Sequence, residues 1–242
     1  MYKNQSKIYK YHVNNLKEIE LGINHIKRLI RAEIASKDPQ NSVKSLLRLY
    51  AFLIGAWAET RLKKLINEKN GFNDLERNNI ESKSTQLEQW KFTVDLAFRK
   101  HYSITKAELN QKTLGVTSNA RLEALHSTLS NELKIIIEIR NKLAHGQWIY
   151  PFTSDGKKID EEKFKLINLE DFQSLDYKYD LIRHLANTIH DLIVSIKTFE
   201  RDFDSNFNRL EQTRTRLNTQ NYEDYKALLI AKREQARKNK SN

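Results

Sequence analysis

The sequence predicts an almost entirely helical protein, and two features support this. Only 6 glycines and 2 prolines occur in 242 residues, so little interrupts regular structure. Apolar residues also recur at three- and four-residue spacing over long stretches, which is the period of an amphipathic α-helix. We therefore predict an all-α antiparallel bundle of long helices. It should form one domain over residues 1–221, followed by a basic helix or tail over 222–242.

The first predicted helix covers residues 7–35, and its apolar residues follow a coiled-coil seam, namely Leu16, Ile19, Ile23, Ile26 and Ile30. We expect this helix to end at Pro39, since proline disfavours helix in the residue before it. The second predicted helix, over residues 42–68, is apolar on most sides between Leu46 and Ala58. A helix of this kind belongs in the middle of a bundle.

A third helix is predicted over residues 75–102, followed by a short helix at 106–112 and a bend near Gly115. The fourth predicted helix runs to His145, with the hydroxyl of Ser118 as its N-cap. Gly146 is suited to stop it, because glycine favours the left-handed conformation that ends many helices.

The segment after the fourth helix has aromatic and β-branched residues around TSDGKK, residues 153–158. This pattern predicts a short β-hairpin or an ordered loop. Asp171 is expected to cap a fifth, long helix with a second apolar seam formed by Leu185, Ile189, Leu192, Ile196, Phe199 and Phe203. The two seams could pack on each other or on a second copy of the chain.

The charge balance indicates a polyanionic partner. There are 42 basic and 31 acidic residues, a formal net charge of +11, which favours nucleic acid but does not separate RNA, DNA and a membrane surface. No cysteine is present, which excludes disulfides and thiol nucleophiles. The N-terminus lacks the apolar core of a signal peptide, and residues 49–58 are about half the ~20 residues of a membrane span. We expect a soluble, cytoplasmic protein without membrane contact.

Residues 140–145, RNKLAH, place an arginine where the helical pattern calls for an apolar residue. The stripe formed by Leu129, Leu133, Ile136 and Leu143 puts Arg140 on the buried side of the helix. Its guanidinium is always charged and suits phosphate oxygens. His145 lies at the end of the helix, and histidine is the usual general acid or base. In an ideal helix a five-residue step separates two side chains by about 140°, so the pair converges on one ligand only if the last turn loosens.

Two further residues are candidates for supporting this pair. Asn141 adds a neutral amide that can orient a phosphate or the imidazole. A buried Arg140 also needs a counter-charge, because an unpaired buried charge costs several kcal/mol. Glu59 is the candidate, since it directly follows the apolar AFLIGAWA of the central helix.

These residues resemble those of a known family. RNKLAH resembles the Arg-x4-6-His motif of HEPN domains, and GAWAE, residues 55–59, resembles the early HEPN helix in which a Trp-x-Glu pattern supplies an acidic partner. The resemblance covers about residues 40–205. It implies a HEPN-like helical bundle that dimerises so that the motifs of two subunits line one cleft.

The resemblance also implies an activity, a metal-independent endoribonuclease without a cofactor. The 2′-hydroxyl of single-stranded RNA would attack its own phosphate, giving 2′,3′-cyclic phosphate and 5′-hydroxyl ends. Arg140 and His145 would be catalytic, Asn141 and Glu59 would support them, and Lys142, Gln147 and Trp148 are the predicted RNA contacts. Such domains recur in toxin–antitoxin and abortive-infection systems, so an antitoxin or another antiphage-defence subunit is an expected partner.

Alternatives remain open at this stage. A second match to the spacing, Arg121 to His126, lies early in its helix without a following polar residue or a glycine stop, and we interpret it as accidental. Arg140 and His145 could form a structural Arg–Glu pair beneath a capping histidine. The chain could also be a non-catalytic module that binds RNA, a nucleotide or a protein, or a regulatory coiled-coil protein. Trp148 could stack on a base or anchor its loop.

Overall fold

A computed structural model describes residues 2–36 and 42–241 of the chain. Within these residues the regular secondary structure is helical and there is no β-strand, as predicted. A π-helical turn, Leu129–Leu133, joins the sixth and seventh helices. The helices are α1 Tyr2–Ile34, α2 Ser42–Ile66, α3 Asp74–Glu81, α4 Gln86–His101, α5 Gln111–Leu114, α6 Val116–Thr128, α7 Lys134–Ala144, α8 Glu161–Asn168, α9 Phe172–Val194, α10 Ile196–Thr219 and α11 Tyr222–Ser241.

Helix α2 lies in the centre of the bundle. It packs against α1, α7 and α9, which surround it on different sides. Its buried side chains accordingly point in several directions, and they include Leu47, Tyr50, Ile54, Trp57 and Leu62. The prediction of a central second helix is confirmed. Pro39, the expected end of the first helix, lies outside the described residues.

The third predicted helix is instead two helices, α3 and α4. Thr85 interrupts it, because its hydroxyl accepts a hydrogen bond from the backbone N–H of Glu88 while Glu88 bonds back to the N–H of Thr85. This reciprocal pair is a capping box, and it starts a new helix. The short helix predicted at 106–112 is also displaced, since α5 covers only Gln111–Leu114.

The helix that carries RNKLAH begins earlier than predicted. Gly115, with φ +78°, precedes its first residue Val116, and it makes no side-chain cap. The prediction of Ser118 as N-cap is therefore wrong; its hydroxyl bonds the Tyr102 hydroxyl at 3.0 Å. From Val116 the chain stays helical through the π turn to Ala144. Gly146, with φ +75°, stops it as predicted.

The segment after α7 is an ordered loop rather than a β-hairpin with strands. One antiparallel bridge joins Phe152 to Ile159, and the backbone N–H of Thr153 donates to Lys158 O at 2.8 Å. Asp171 caps α9 as predicted, with its carboxylate accepting from the N–H of Ser174 at 2.8 Å.

The fifth predicted helix is broken at Ser195, whose extended backbone separates α9 from α10. The two helices fold back on each other, and the second seam is largely buried between them and the rest of the core. The first seam is mostly buried too, because α1 packs along α2. Both seams are thus covered within one chain, which removes the main basis for a coiled-coil assembly.

The C-terminal segment is a helix, α11, whose beginning is attached to the bundle. Tyr222, Tyr225 and Leu229 pack against the core, and the Arg233 guanidinium donates to the carbonyl oxygen of Ala32 at 2.8 Å. None of the helices in the described residues is long and apolar enough to cross a membrane.

Candidate functional site

Arg140 lies where α7 crosses the central helix α2 at very short range. A Cβ added at Gly55 would lie 2.8 Å from Arg140 Cγ and closer still to its Cβ. The absence of a side chain at Gly55 therefore lets the stem of Arg140 rest directly on the backbone of α2. Glu59 is one turn further along α2, on the same face as Gly55. This crossing brings its carboxylate to the end of the Arg140 side chain.

Arg140 and Glu59 form an ion pair, as the sequence led us to expect. The Arg140 side chain is 19 % exposed and that of Glu59 is 51 % exposed. Burial lowers the pKa of the Arg140 guanidinium from its ordinary value, although an arginine stays charged at neutral pH. The carboxylate thus supplies the counter-charge that a largely buried cation requires.

Two amides complete the surroundings of the guanidinium. Arg140 Nη1 donates to Asn141 Oδ1 at 3.1 Å, and Nη2 donates to Gln86 Oε1 at 3.3 Å. Asn141 was a predicted site residue, whereas sequence reasoning missed Gln86. Gln86 is the first residue of α4 and is placed by the capping box of Thr85, and that capping pattern, TQLE, is the only sequence signal near it. Its approach to Arg140 is a long-range contact that no local pattern predicts.

His145 lies at the end of α7 and is exposed to solvent. The N–H of Gly146 donates to Leu143 O at 3.1 Å and that of Gln147 donates to Lys142 O at 3.0 Å. This pair of bonds is the Schellman motif, which keeps the last turn closed. Within the described residues the imidazole makes no side-chain hydrogen bond or ion pair, so both ring nitrogens are available.

The structure holds Arg140 and His145 in different surroundings within one chain. Arg140 points to α2 and α4, while His145 shares none of the partners of Arg140 in the described residues. Because the Schellman motif leaves the last turn intact, the separation of about 140° expected for a five-residue step is retained. The loosened last turn that would let both groups reach one ligand from a single chain is absent from α7.

The three predicted RNA contacts hold the loop that follows α7. Lys142 Nζ donates to the carbonyl oxygen of Phe152, and Gln147 Oε1 accepts from the N–H of Phe152 at 2.8 Å. Trp148 Nε1 donates to Leu143 O at 3.0 Å, and its ring packs on a small apolar cluster beside α7. Trp148 thus anchors the loop, one of its two expected roles. Contact of these residues with RNA stays a prediction.

The second match to the spacing has a different environment. Arg121 Nη2 donates to the carbonyl oxygen of Glu200 at 3.2 Å, and the guanidinium lies 5.2 Å from the centre of the Phe203 ring. His126 Nε2 lies 2.7 Å from Asp95 Oδ1. Both side chains are used in joining α6 to its neighbours α10 and α4.

No three His, Asp or Glu side chains cluster as metal ligands within the residues that the structure describes. Neither family models, nor the sequences of curated proteins, nor solved structures give a match to this chain. What can be said of function therefore depends on the residues themselves.

Proposed function

We propose that the chain is an endoribonuclease that cleaves single-stranded RNA without a metal ion. The observation that carries this proposal is the combination at the end of α7. A largely buried, permanently charged guanidinium is neutralised by Glu59, and an exposed imidazole without a partner in the described residues lies five residues further on. Few structural roles require a free histidine, whereas proton transfer does. The net charge of +11 favours a polyanionic substrate.

In the proposed reaction the attacking group belongs to the RNA. The 2′-oxygen forms a bond to the adjacent phosphorus and the bond to the 5′-oxygen breaks, so a 2′,3′-cyclic phosphate and a 5′-hydroxyl result. His145 moves a proton, and Arg140 stabilises the negative charge that grows on the phosphate oxygens. DNA lacks the attacking hydroxyl and is not cut.

The separation of Arg140 and His145 within one chain supports a composite site in a homodimer. A side chain about 140° away around the helix cannot grip the same phosphate, but a second copy can present its own motif across a cleft. This arrangement is the one implied by the resemblance of RNKLAH to HEPN domains. The same resemblance suggests a role in antiphage defence or a toxin–antitoxin system, with an antitoxin as a further partner.

A second candidate function is a non-catalytic module that holds RNA or a nucleotide. The observation that favours it is the environment of Arg140, which already contacts Glu59, Gln86 and Asn141. A guanidinium with three partners suits binding as well as catalysis. This module would use the same basic surface without moving a proton.

Cleavage of labelled single-stranded RNA in EDTA separates the two candidates. We expect the wild-type protein to cut RNA and not DNA. His145→Ala should lower the rate by about 10²- to 10⁴-fold, the usual contribution of a general acid or base. His126→Ala serves as the matched control and should retain activity. RNA binding without cutting would favour the module, and binding that does not weaken with salt would contradict any phosphate contact.

A further inference from the structure

The hydrogen bonds of the Arg140 guanidinium leave little of it open to a ligand. Nη2 donates to both Glu59 and Gln86, and Nη1 donates to Asn141. Nε is buried and has no hydrogen-bond partner in the described residues. A guanidinium has five N–H groups and grips a phosphate best through two of them at once. In this structure the carboxylate of Glu59 occupies the accessible end of the fork.

Glu59 differs from the other two partners in charge and exposure. It is the only anion among the three, and its side chain is 51 % exposed. A carboxylate and a phosphate offer the guanidinium similar pairs of oxygen atoms. An ion pair with one member in solvent is weak, because water competes for both charges. Gln86 and Asn141 are neutral and do not repel an incoming anion.

Gln86 is placed so that it can hold the guanidinium without Glu59. It is the first residue of α4, its Oε1 accepts from Arg140 Nη2, and its Nε2 is buried without a partner in the described part of the chain. Because a different helix supplies each partner, loss of the bond to α2 leaves the guanidinium attached to α4.

We propose that Glu59 fills the place of an anionic ligand at Arg140 and is displaced by a phosphate group, while Gln86 keeps the guanidinium in position. This proposal rests on the proposed function, because it gives the scissile phosphate its entry to Arg140. It changes the role of Glu59 from a support of the site to a competitor for it. Gln86 becomes a positioning residue.

The test is a titration of inorganic phosphate into the full chain labelled with ¹⁵N-arginine, following the side-chain resonance of Arg140 by NMR. Arg140→Lys identifies that resonance by its loss. We expect Glu59→Gln to bind phosphate about two- to fivefold more tightly than wild type, which matches the strength of a partly exposed ion pair. Glu234→Gln, on the exposed end of α11, makes the same change in net charge and should not reproduce the gain.

Gln86 is tested in the Glu59→Gln background. Gln86→Met keeps the length of the side chain but removes the acceptor, so the gain in phosphate affinity should disappear. Circular dichroism of the double variant checks that α4 is retained. If the affinity gain persists without Gln86, its positioning role is excluded.

The same variants are then assayed with RNA, so that the two proposals can fail separately. If Glu59→Gln binds phosphate no better than Glu234→Gln, the displacement of Glu59 is overturned, even if wild type cuts RNA. If Glu59→Gln gains phosphate affinity but no variant binds or cuts RNA, the anion site stands and the endoribonuclease proposal fails.

Discussion

Two segments of one continuous helix, RLEALH at 121–126 and RNKLAH at 140–145, have the same spacing but opposite surroundings. In the first segment the arginine binds a backbone carbonyl and covers an aromatic ring, and the histidine is paired with Asp95. In the second the arginine is neutralised by Glu59, and the histidine is exposed. The first segment uses its polar groups to hold helices together, and the second leaves an imidazole free.

The difference extends to the space beside each segment. His126 and Asp95 line a surface groove of about 660 Å³, together with Glu108, Glu123 and Arg99. Three carboxylates against one arginine would repel an RNA backbone, although the groove is large enough for a nucleotide. The comparison teaches that neither the spacing of the motif nor the size of a neighbouring cavity identifies the site. The partners of the arginine and histidine do.

The largest expected effect is on catalysis. Arg140→Lys should lower RNA cleavage by at least about a hundredfold, because lysine cannot replace a planar fork that stabilises charge in the transition state. Arg121→Lys, the same change in the other segment, should alter the rate by less than about twofold, since Arg121 has no role in the proposed reaction. Single-turnover cleavage rates provide the measurement. Equal losses in both variants would abolish the distinction between the two segments.

A smaller effect is expected on stability at the crossing that positions Arg140. Gly55→Ala places a Cβ against the Arg140 stem, so the variant should be less stable by about 1–3 kcal/mol. Gly22→Ala is the control, because its Cβ would meet only Leu53 Cδ1 at 3.9 Å. That change should stabilise α1 by about 0.5–1 kcal/mol. Urea unfolding followed by circular dichroism measures both, and similar behaviour of the two variants would contradict the close crossing.

The smallest effect is expected in the first segment. Asp95→Asn should lower stability by only about 0.2–1 kcal/mol, because the His126–Asp95 pair is partly exposed to water. RNA cleavage should be unchanged. Thermal unfolding and the cleavage assay together test this expectation. A large loss of cleavage in Asp95→Asn would move the active site to the groove between α4 and α6.

Periodicity predicted the positions of most helices, but it did not predict where they are interrupted. The apolar spacing continues across Ser195, and one residue in an extended conformation is enough to reverse the chain there. The break before α4 has a local signal, TQLE at 85–88, which fits the capping-box pattern. The π turn between α6 and α7 has no signal of this kind, since its residues suit an α-helix equally well.

The candidate site was predictable only in part, for a related reason. Arg140 is conspicuous because it interrupts an apolar stripe, and Glu59 because it ends an apolar run. Their pairing follows from the need of a buried cation for a counter-charge. Gln86 has no such conflict with its surroundings, since a polar residue at the start of a helix is ordinary. Its contact with Arg140 depends on how α4 and α7 pack, which the sequence pattern does not contain.

The π turn has a consequence for any change in the length of this helix. A π turn holds one residue more than an α turn, so Leu129–Leu133 sets the rotation of everything that follows it. Deleting a single residue there would restore ordinary winding and swing Arg140 by about 100° about the axis. The hexapeptide RNKLAH would survive letter for letter, yet its arginine would face away from Glu59. The orientation of the motif is therefore encoded upstream of it.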